Sequence, residues 1–245
     1  MADLSIIDVS KSFSGRHVLE NLSLSVSDAE FVSIVGPSGS GKSTLFHLIG
    51  GLLEPDSGDI YLDGKRVNGK RGAISYMPQS PSLLPWRTVL ENVMLGGELL
   101  GEKNREEAIS MMAKAGLSGY EEAYPDQLSG GMKQRAAFIR SMLSPQPLMC
   151  LDEPFSALDE FTRLDMQQWL LSMWEEHRRS ILFVTHNIEE ALFLSDRIIV
   201  LSSGPAQVKA DFTIPFPRPR KESVVLSQDF LEWKKTIYQE LRVMT

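Results

Sequence analysis

The stretch "GPSGSGKST", residues 36–44, constrains this chain more than any other. It fits G-x-x-x-x-G-K-[ST], in which glycines let successive backbone N–H groups converge on phosphate oxygens at the start of a helix. Its flanks agree with that reading. "FVSIV" before it is a short apolar run of the kind that forms a buried strand, and "STLFHLIGGL" after it reads as a helix. Strand, glycine loop and helix together commit the chain to an α/β fold. In such a loop the lysine, Lys42, reaches the β and γ phosphates, and the Ser43 hydroxyl is a ligand for Mg²⁺.

Two later apolar runs, "PLMCLDEP" and "SILFVTH", are short, bounded and rich in branched residues, with the helical stretch "DEFTRLDMQQWLLSMWEEH" between them. They read as buried parallel strands joined by a crossover helix. Asp152 and Glu153 end the first strand, where ligands bind in open α/β sheets. Asp152 suits magnesium, and Glu153 suits the base that takes a proton from an attacking water. His186 ends the second strand, within reach of a γ-phosphate, and Gln79 in "YMPQ" could orient water or complete a magnesium shell. Alone, each of these is an ordinary solvated turn or structural residue. The phosphate loop is what gives them a shared purpose.

At 245 residues and 42% hydrophobic content, the chain can bury the core of one domain with subdomains. "LSIIDVSKSF" and "LSLSVSDAEFVSIVG" read as strands, and "DIYLDGKRV" carries a turn at Asp63-Gly64. From Thr88 to Leu128 the composition is helical, until Pro125 interrupts it. "IPFPRPRK" is a stiff connector, and the final helical stretch repeats apolar residues at Phe230, Trp233, Ile237 and Leu241. Core packing is the expected use of that stripe and partner docking the lesser alternative. The expected division is a main unit at 1–208, with a helical part at about 88–143, followed by a connector and amphipathic helix at 209–245.

Other function classes are disfavoured. No secretory signal is expected at the N-terminus, and no apolar run approaches the roughly 18 residues of a membrane helix. A formal charge of −7 argues against general nucleic-acid binding. The single cysteine, Cys150, lies in an apolar run and reads as a buried, reduced thiol.

"LSGGMKQR", residues 128–135, looks like a second anion cradle in a chain that already has one. Taken with "GPSGSGKST", Gln79, "LMCLDEP", "SALD" and "VTH", its order and spacing resemble the ATP-binding cassette ATPases over nearly the whole chain. That resemblance implies a RecA-like P-loop core with an antiparallel β subdomain and a helical subdomain, working as a head-to-tail homodimer with ATP and Mg²⁺ at the interface. It places Phe13 against adenine, and Gly36, Pro37, Ser38, Gly39, Ser40, Gly41, Lys42, Ser43 and Thr44 around the phosphates. Ser43, Gln79 and Asp152 would hold magnesium, Glu153 would be the general base, and His186 would meet the γ-phosphate. Ser129, Gly130 and Gly131 would bind the γ-phosphate held by the opposite subunit, and Asp159 would touch that partner. Met132 stands where the commonest signature has Gln, so the amide hydrogen bond to ribose is lost.

"QSPSLLPWRTVLENV", "DEPFSALDEFTR", "VTHNIEEALFLSDRIIVLS" and the Pro-rich tail look like bacterial importer subunits for nitrate, sulfonates, taurine and thiamine-precursor pyrimidines. The implied partners are two integral-membrane permease subunits and, indirectly, an extracytoplasmic solute-binding protein, with no nucleic acid. The implied location is cytoplasmic, peripheral on the inner face of the cell membrane. Leu83, Leu84, Trp86 and Arg87 would receive the permease's coupling helix, with core packing an equal alternative for Leu83 and Leu84. A soluble cassette protein acting on nucleic acid and an exporter ATPase are the alternatives.

Overall fold

The run "LSLSVSDAEFVSIVG" does not form one continuous strand, and its break separates two sheets. The structure is a computed structural model that describes residues 3–99, 101, 104–156 and 158–242. Strand β2 (Arg16–Val26) ends at a turn over residues 27–30, and β3 (Phe31–Val35) starts the second sheet. Ala29 takes a positive φ of 55° there, and the N–H of Ser27 donates to Oε2 of Glu30 at 2.8 Å. The first sheet is antiparallel, in the order β2, β1 (Leu4–Phe13), β4 (Ser57–Leu62) and β5 (Lys65–Arg66). The turn expected at Asp63-Gly64 joins its last two strands, both residues having positive φ, as a type I′ hairpin requires.

The second sheet adds β6 (Ser75–Met77), β7 (Leu148–Asp152), β8 (Ser180–Val184), β9 (Arg197–Leu201) and β10 (Val208–Thr213), in the order β10-β9-β3-β8-β7-β6. The five strands from β9 to β6 run parallel, and β10 is an antiparallel edge strand. β3, β7, β8 and β9 read as nearly unbroken apolar runs because both faces are covered. Met149, Leu151, Ile181 and Phe183 point to one core, while Leu148, Cys150, Leu182 and Val184 point to another shared with the antiparallel sheet.

Eight α-helices occur among the described residues: α1 (Lys42–Ile49), α2 (Val89–Val93), α3 (Leu95–Leu99), α4 (Arg105–Lys114), α5 (Gly130–Met142), α6 (Glu160–His177), α7 (Ile188–Leu194) and α8 (Gln228–Arg242). The crossover of β7, α6 and adjacent parallel β8 is as expected. The helical stretch after Thr88 is instead divided into short pieces. A capping box of Thr88 and Glu91 starts α2, Gly116 and Gly119 with positive φ end the stretch containing α4, and Pro125 opens a 3₁₀ turn. No helix of the described residues is long and apolar enough to cross a membrane.

The expected division at 208/209 falls inside β10. Beyond it, the connector is bound by its arginines. Arg218 lies over the ring of fully buried Trp174 at 4.1 Å, and buried Arg220 donates to the carbonyls of Leu192, Phe193 and Ser195 at the end of α7. Helix α8 then buries Phe230 and Ile237, and half-buries Trp233 and Leu241, against α7 and β9. The apolar stripe is core packing.

Candidate active site

Strand register brings the separated motifs to one level. Ile34 pairs with Val184, Val184 with Asp152, and Met77 with Leu151, so β3, β8, β7 and β6 end together. Asp152 closes β7, and the glycine loop, Glu153, His186 and Gln79 follow the strand ends. This is the carboxyl edge of a parallel sheet, where exposed strand ends and helix starts can surround a ligand.

The glycine loop folds around its own lysine. Gly39 and Gly41 have φ of 77° and 87°, and a Cβ on Gly41 would stand 2.8 Å from Cδ2 of Leu19. Only glycine meets both conditions at Gly41. Lys42 Nζ donates to the carbonyls of Gly36 and Pro37, both at 2.9 Å, and to Ser40 Oγ at 3.4 Å. Burial lowers the Lys42 pKa, and the nearby carboxylates of Glu153 and Asp152 oppose that shift. Helix α1 has no side-chain N-cap and no acidic residue in its first turn, which leaves its amide end electropositive. Ser38, Gly39, Gly41, Lys42, Ser43 and Thr44, with Val18 and Glu153, line a cleft of about 320 Å³.

The carboxylate pair is divided by environment. Asp152 is buried, and Tyr76 donates its hydroxyl to Asp152 Oδ2 at 3.2 Å. Burial raises the Asp152 pKa, and the Tyr76 bond works against it. Glu153 takes a left-handed φ of 44°, a strained state for a residue with a side chain, and its N–H donates to Val184 O at 2.9 Å. Its Oε2 lies 3.2 Å from His186 Nδ1 and 3.4 Å from Gln79 Nε2. Gln79 also donates to Ser156 Oγ at 3.2 Å.

Five expected residues lie away from that cleft. Ser129 and Gly130 are exposed at the start of α5, and Gly131 follows, half-buried; none lines the Lys42 cleft. Ser129 Oγ accepts the N–H of Met132 at 3.3 Å and so caps α5, while Met132 packs its side chain on the core. Asp159 caps α6, accepting from the N–H and hydroxyl of Thr162 at 3.1 and 2.7 Å. Phe13 is exposed at the end of β1, beneath Lys11 Nζ, and does not line the cleft.

Sequence reasoning missed Val18, Tyr76, Ser156 and Gln134. Val18 supplies an apolar wall, and buried Gln134 on α5 donates to Gln79 O at 3.4 Å. Only Gln134, a polar residue on the inward face of α5, carried a signal, since its position among Ala136, Ala137 and Phe138 marks it as buried.

These residues fit a nucleotide triphosphate and a hard cation. The loop presents amides and a lysine to phosphate, and Ser43, Asp152 and Gln79 offer the oxygen donors that magnesium prefers. Among the described residues no cluster of three or more His, Cys, Asp or Glu could hold a metal alone. Magnesium sites commonly rely on substrate phosphates and water for the remainder.

Comparison with known proteins agrees with the geometry. The ABC transporter family matches residues 19–156. The formylaminopyrimidine import ATP-binding protein ThiZ of Halalkalibacterium halodurans is 46% identical over 222 residues, covering 89% of this chain and 87% of the relative. The aliphatic sulfonates import ATP-binding protein SsuB of Bacillus cereus is 37% identical over 241 residues, covering 97% and 95%. A solved dimeric ATP-binding cassette in a post-hydrolysis state, bound to ADP and Pi, superposes with a TM-score of 0.74 at 31% identity, covering 87% of this chain and all of that one. With its RecA-like core, antiparallel β subdomain and helical subdomain, this chain belongs to the ABC transporter family as one of its ATP-binding, ATP-hydrolysing proteins.

Proposed function

We propose that this chain is the ATPase subunit of an importer for a small solute such as nitrate, a sulfonate, taurine or a thiamine-precursor pyrimidine. The observation that carries the catalytic part is the convergence of Glu153, His186 and Gln79 beside the Lys42 loop, at one edge of the sheet. The loop amides and Lys42 bind and orient the phosphates. Glu153 takes the proton of the attacking water, His186 and Gln79 position the groups around it, and Val18 closes the apolar side. Ser43, Asp152 and Gln79 would hold Mg²⁺, which neutralises phosphate charge when bound.

Ser129, Gly130 and Gly131 serve the nucleotide of a second copy. The exposure of Ser129 and Gly130 and the separation of all three from the Lys42 cleft support that assignment, as does the dimeric state of the solved relative. Two nucleotides are then sandwiched only in the closed dimer, so binding favours closure and hydrolysis reopens it. Asp159, at the head of α6, and Phe13, at the end of β1, complete the interface and the adenine contact in this reading.

The importer part rests on the relatives named for uptake and on one surface. Trp86 is 71% exposed, on a segment fixed from beneath by Arg140, which donates to Pro81 O and Ser82 O at 2.9 Å. Leu83 packs partly into the core and Leu84 is half-buried. A rigid loop presenting an aromatic suits the coupling helix of a permease on the inner face of the membrane. The test is recovery of the tagged chain from membranes. Two permease subunits should accompany it, and vesicles holding that complex with its solute-binding protein should take up solute only with ATP inside. Nucleic-acid binding that persisted at physiological salt, with no permease recovered, would replace this reading by the soluble alternative. Solute export by the recovered complex would replace it by the exporter.

A further inference from the structure

Glu190, in the first turn of α7, is a buried carboxylate with no part in the chemistry above. It is 6% exposed. Its Oε2 accepts the Thr185 hydroxyl at 2.5 Å, and its Oε1 lies 3.7 Å from Nε of Arg163. Thr185 Oγ1 accepts in turn the N–H of Asn187 at 3.0 Å, and the Thr185 N–H donates to Ile34 O at 3.3 Å. Both neighbours of His186 are therefore held, one from each side, by a single hydroxyl. The other arm of Arg163 donates from Nη2 to Leu158 O at 2.8 Å, one residue before Asp159.

Glu190 needs a donor for its second oxygen, and the hydroxyl that supplies it also accepts the N–H on the far side of His186. Here the hydroxyl spends its donor on Glu190 and an acceptor lone pair on Asn187, which restricts the backbone that aims the imidazole at Glu153. Burial pushes the Glu190 carboxyl above its ordinary range, and the Thr185 bond and Arg163 oppose that shift.

We propose that Thr185 and Glu190 are positioning residues for His186, and that Arg163 ties the same brace to the "SALD" loop through Leu158. The proposal rests on the assignment of His186 to hydrolysis, and the test separates the two. The turnover number and ATP affinity of the full-length chain are measured for Thr185→Val, Thr185→Ser, His186→Ala and the double variant Thr185→Val/His186→Ala, with thermal midpoints to establish folding. Thr185→Val should lower kcat about tenfold, the loss of one oriented hydrogen bond, and leave the ATP Kd within about twofold. Thr185→Ser, which keeps the hydroxyl, should recover most of the rate. The double variant should be no slower than His186→Ala, because the brace acts only through the imidazole. An equal loss from Thr185→Val in both backgrounds, a parallel loss of ATP affinity, or failure of the serine to recover the rate would overturn the brace. A wild-type rate in His186→Ala would overturn the His186 assignment and the brace with it.

Discussion

Glu153 turns out of β7 with φ of 44°, and that left-handed step sets its Oε2 3.2 Å from Nδ1 of His186, across the end of β8. The contact joins residues whose strands are neighbours in the sheet, and it leaves the carboxylate among groups that can orient water. Glu153→Gln keeps the size and the acceptor oxygen but cannot take a proton. ATP hydrolysis should fall by several powers of ten, at about 1.4 kcal/mol each, while ATP binding persists. Phosphate release and equilibrium nucleotide binding, measured on the same preparation, check this, and sedimentation should show an ATP-dependent dimer. Wild-type phosphate release would remove Glu153 from the base role.

Two glycines of the phosphate loop should respond differently to alanine. Gly39 and Gly41 both have positive φ, but a Cβ on Gly39 meets open space whereas one on Gly41 meets Leu19 Cδ2 at 2.8 Å and Val18 Cγ1 at 3.0 Å. Gly39→Ala should cost roughly 1 kcal/mol of stability, the backbone penalty alone. Gly41→Ala adds overpacking of typically about 1–3 kcal/mol and displaces the wall of the cleft. Urea unfolding midpoints at constant m-value, with ATP affinity for each variant, make the comparison. Equal losses from the two would show that the packing around Gly41 yields freely.

The strands and the grouping of residues at their ends were readable because short apolar runs ended in glycines, Asp152-Glu153 and His186, residues ordinary singly that the phosphate loop ties into one set. What could not be read followed from physical degeneracy. A strand buried on both faces has no alternation, so nothing in "LMCLD" divides Leu148 and Cys150 from Met149 and Leu151. The break at 27–30 depends on Ala29 taking positive φ, with its N–H bound to Ser180 Oγ, a partner 151 residues away. Val18 and Tyr76 look like ordinary strand residues, and only the fold brings one to the phosphate cleft and the other to Asp152, 76 residues on.

Acid stability should depend on Asp56, which joins the approach to β4 to β1. Its carboxylate accepts from Lys11 Nζ at 2.6 Å and from the N–H of Ser12 at 2.7 Å. The Lys11 bond, then the Ser12 bond, hold its pKa below the ordinary 3.8. The unfolded chain therefore binds the proton more readily in that window. The stabilisation is present above pH 3.8 and is lost as pH falls through the lower folded value. In Asp56→Asn, stability should be lower at neutral pH and the difference from wild type should shrink on acidification below pH 4, measured by urea unfolding at several pH values. A difference that stayed constant with pH would assign the effect to geometry instead.

Ser129 carries two duties that one substitution can separate. It caps α5 through the N–H of Met132, and it is proposed to meet the γ-phosphate held by the second copy. Alanine confounds these, since losing the cap alone costs about 1 kcal/mol. Aspartate is as good a cap, and its charge is favourable at a helix N-terminus, so Ser129→Asp should fold with undiminished stability. Against a phosphate the same charge is repulsive. The variant should retain each chain's own ATP binding, fail to form the ATP-dependent dimer when combined with Glu153→Gln, and lose hydrolysis by at least about tenfold. A Ser129→Asp chain that hydrolysed ATP at the wild-type rate would show that this helix end meets no phosphate. Loss of its own ATP binding would place the effect in the Lys42 cleft instead.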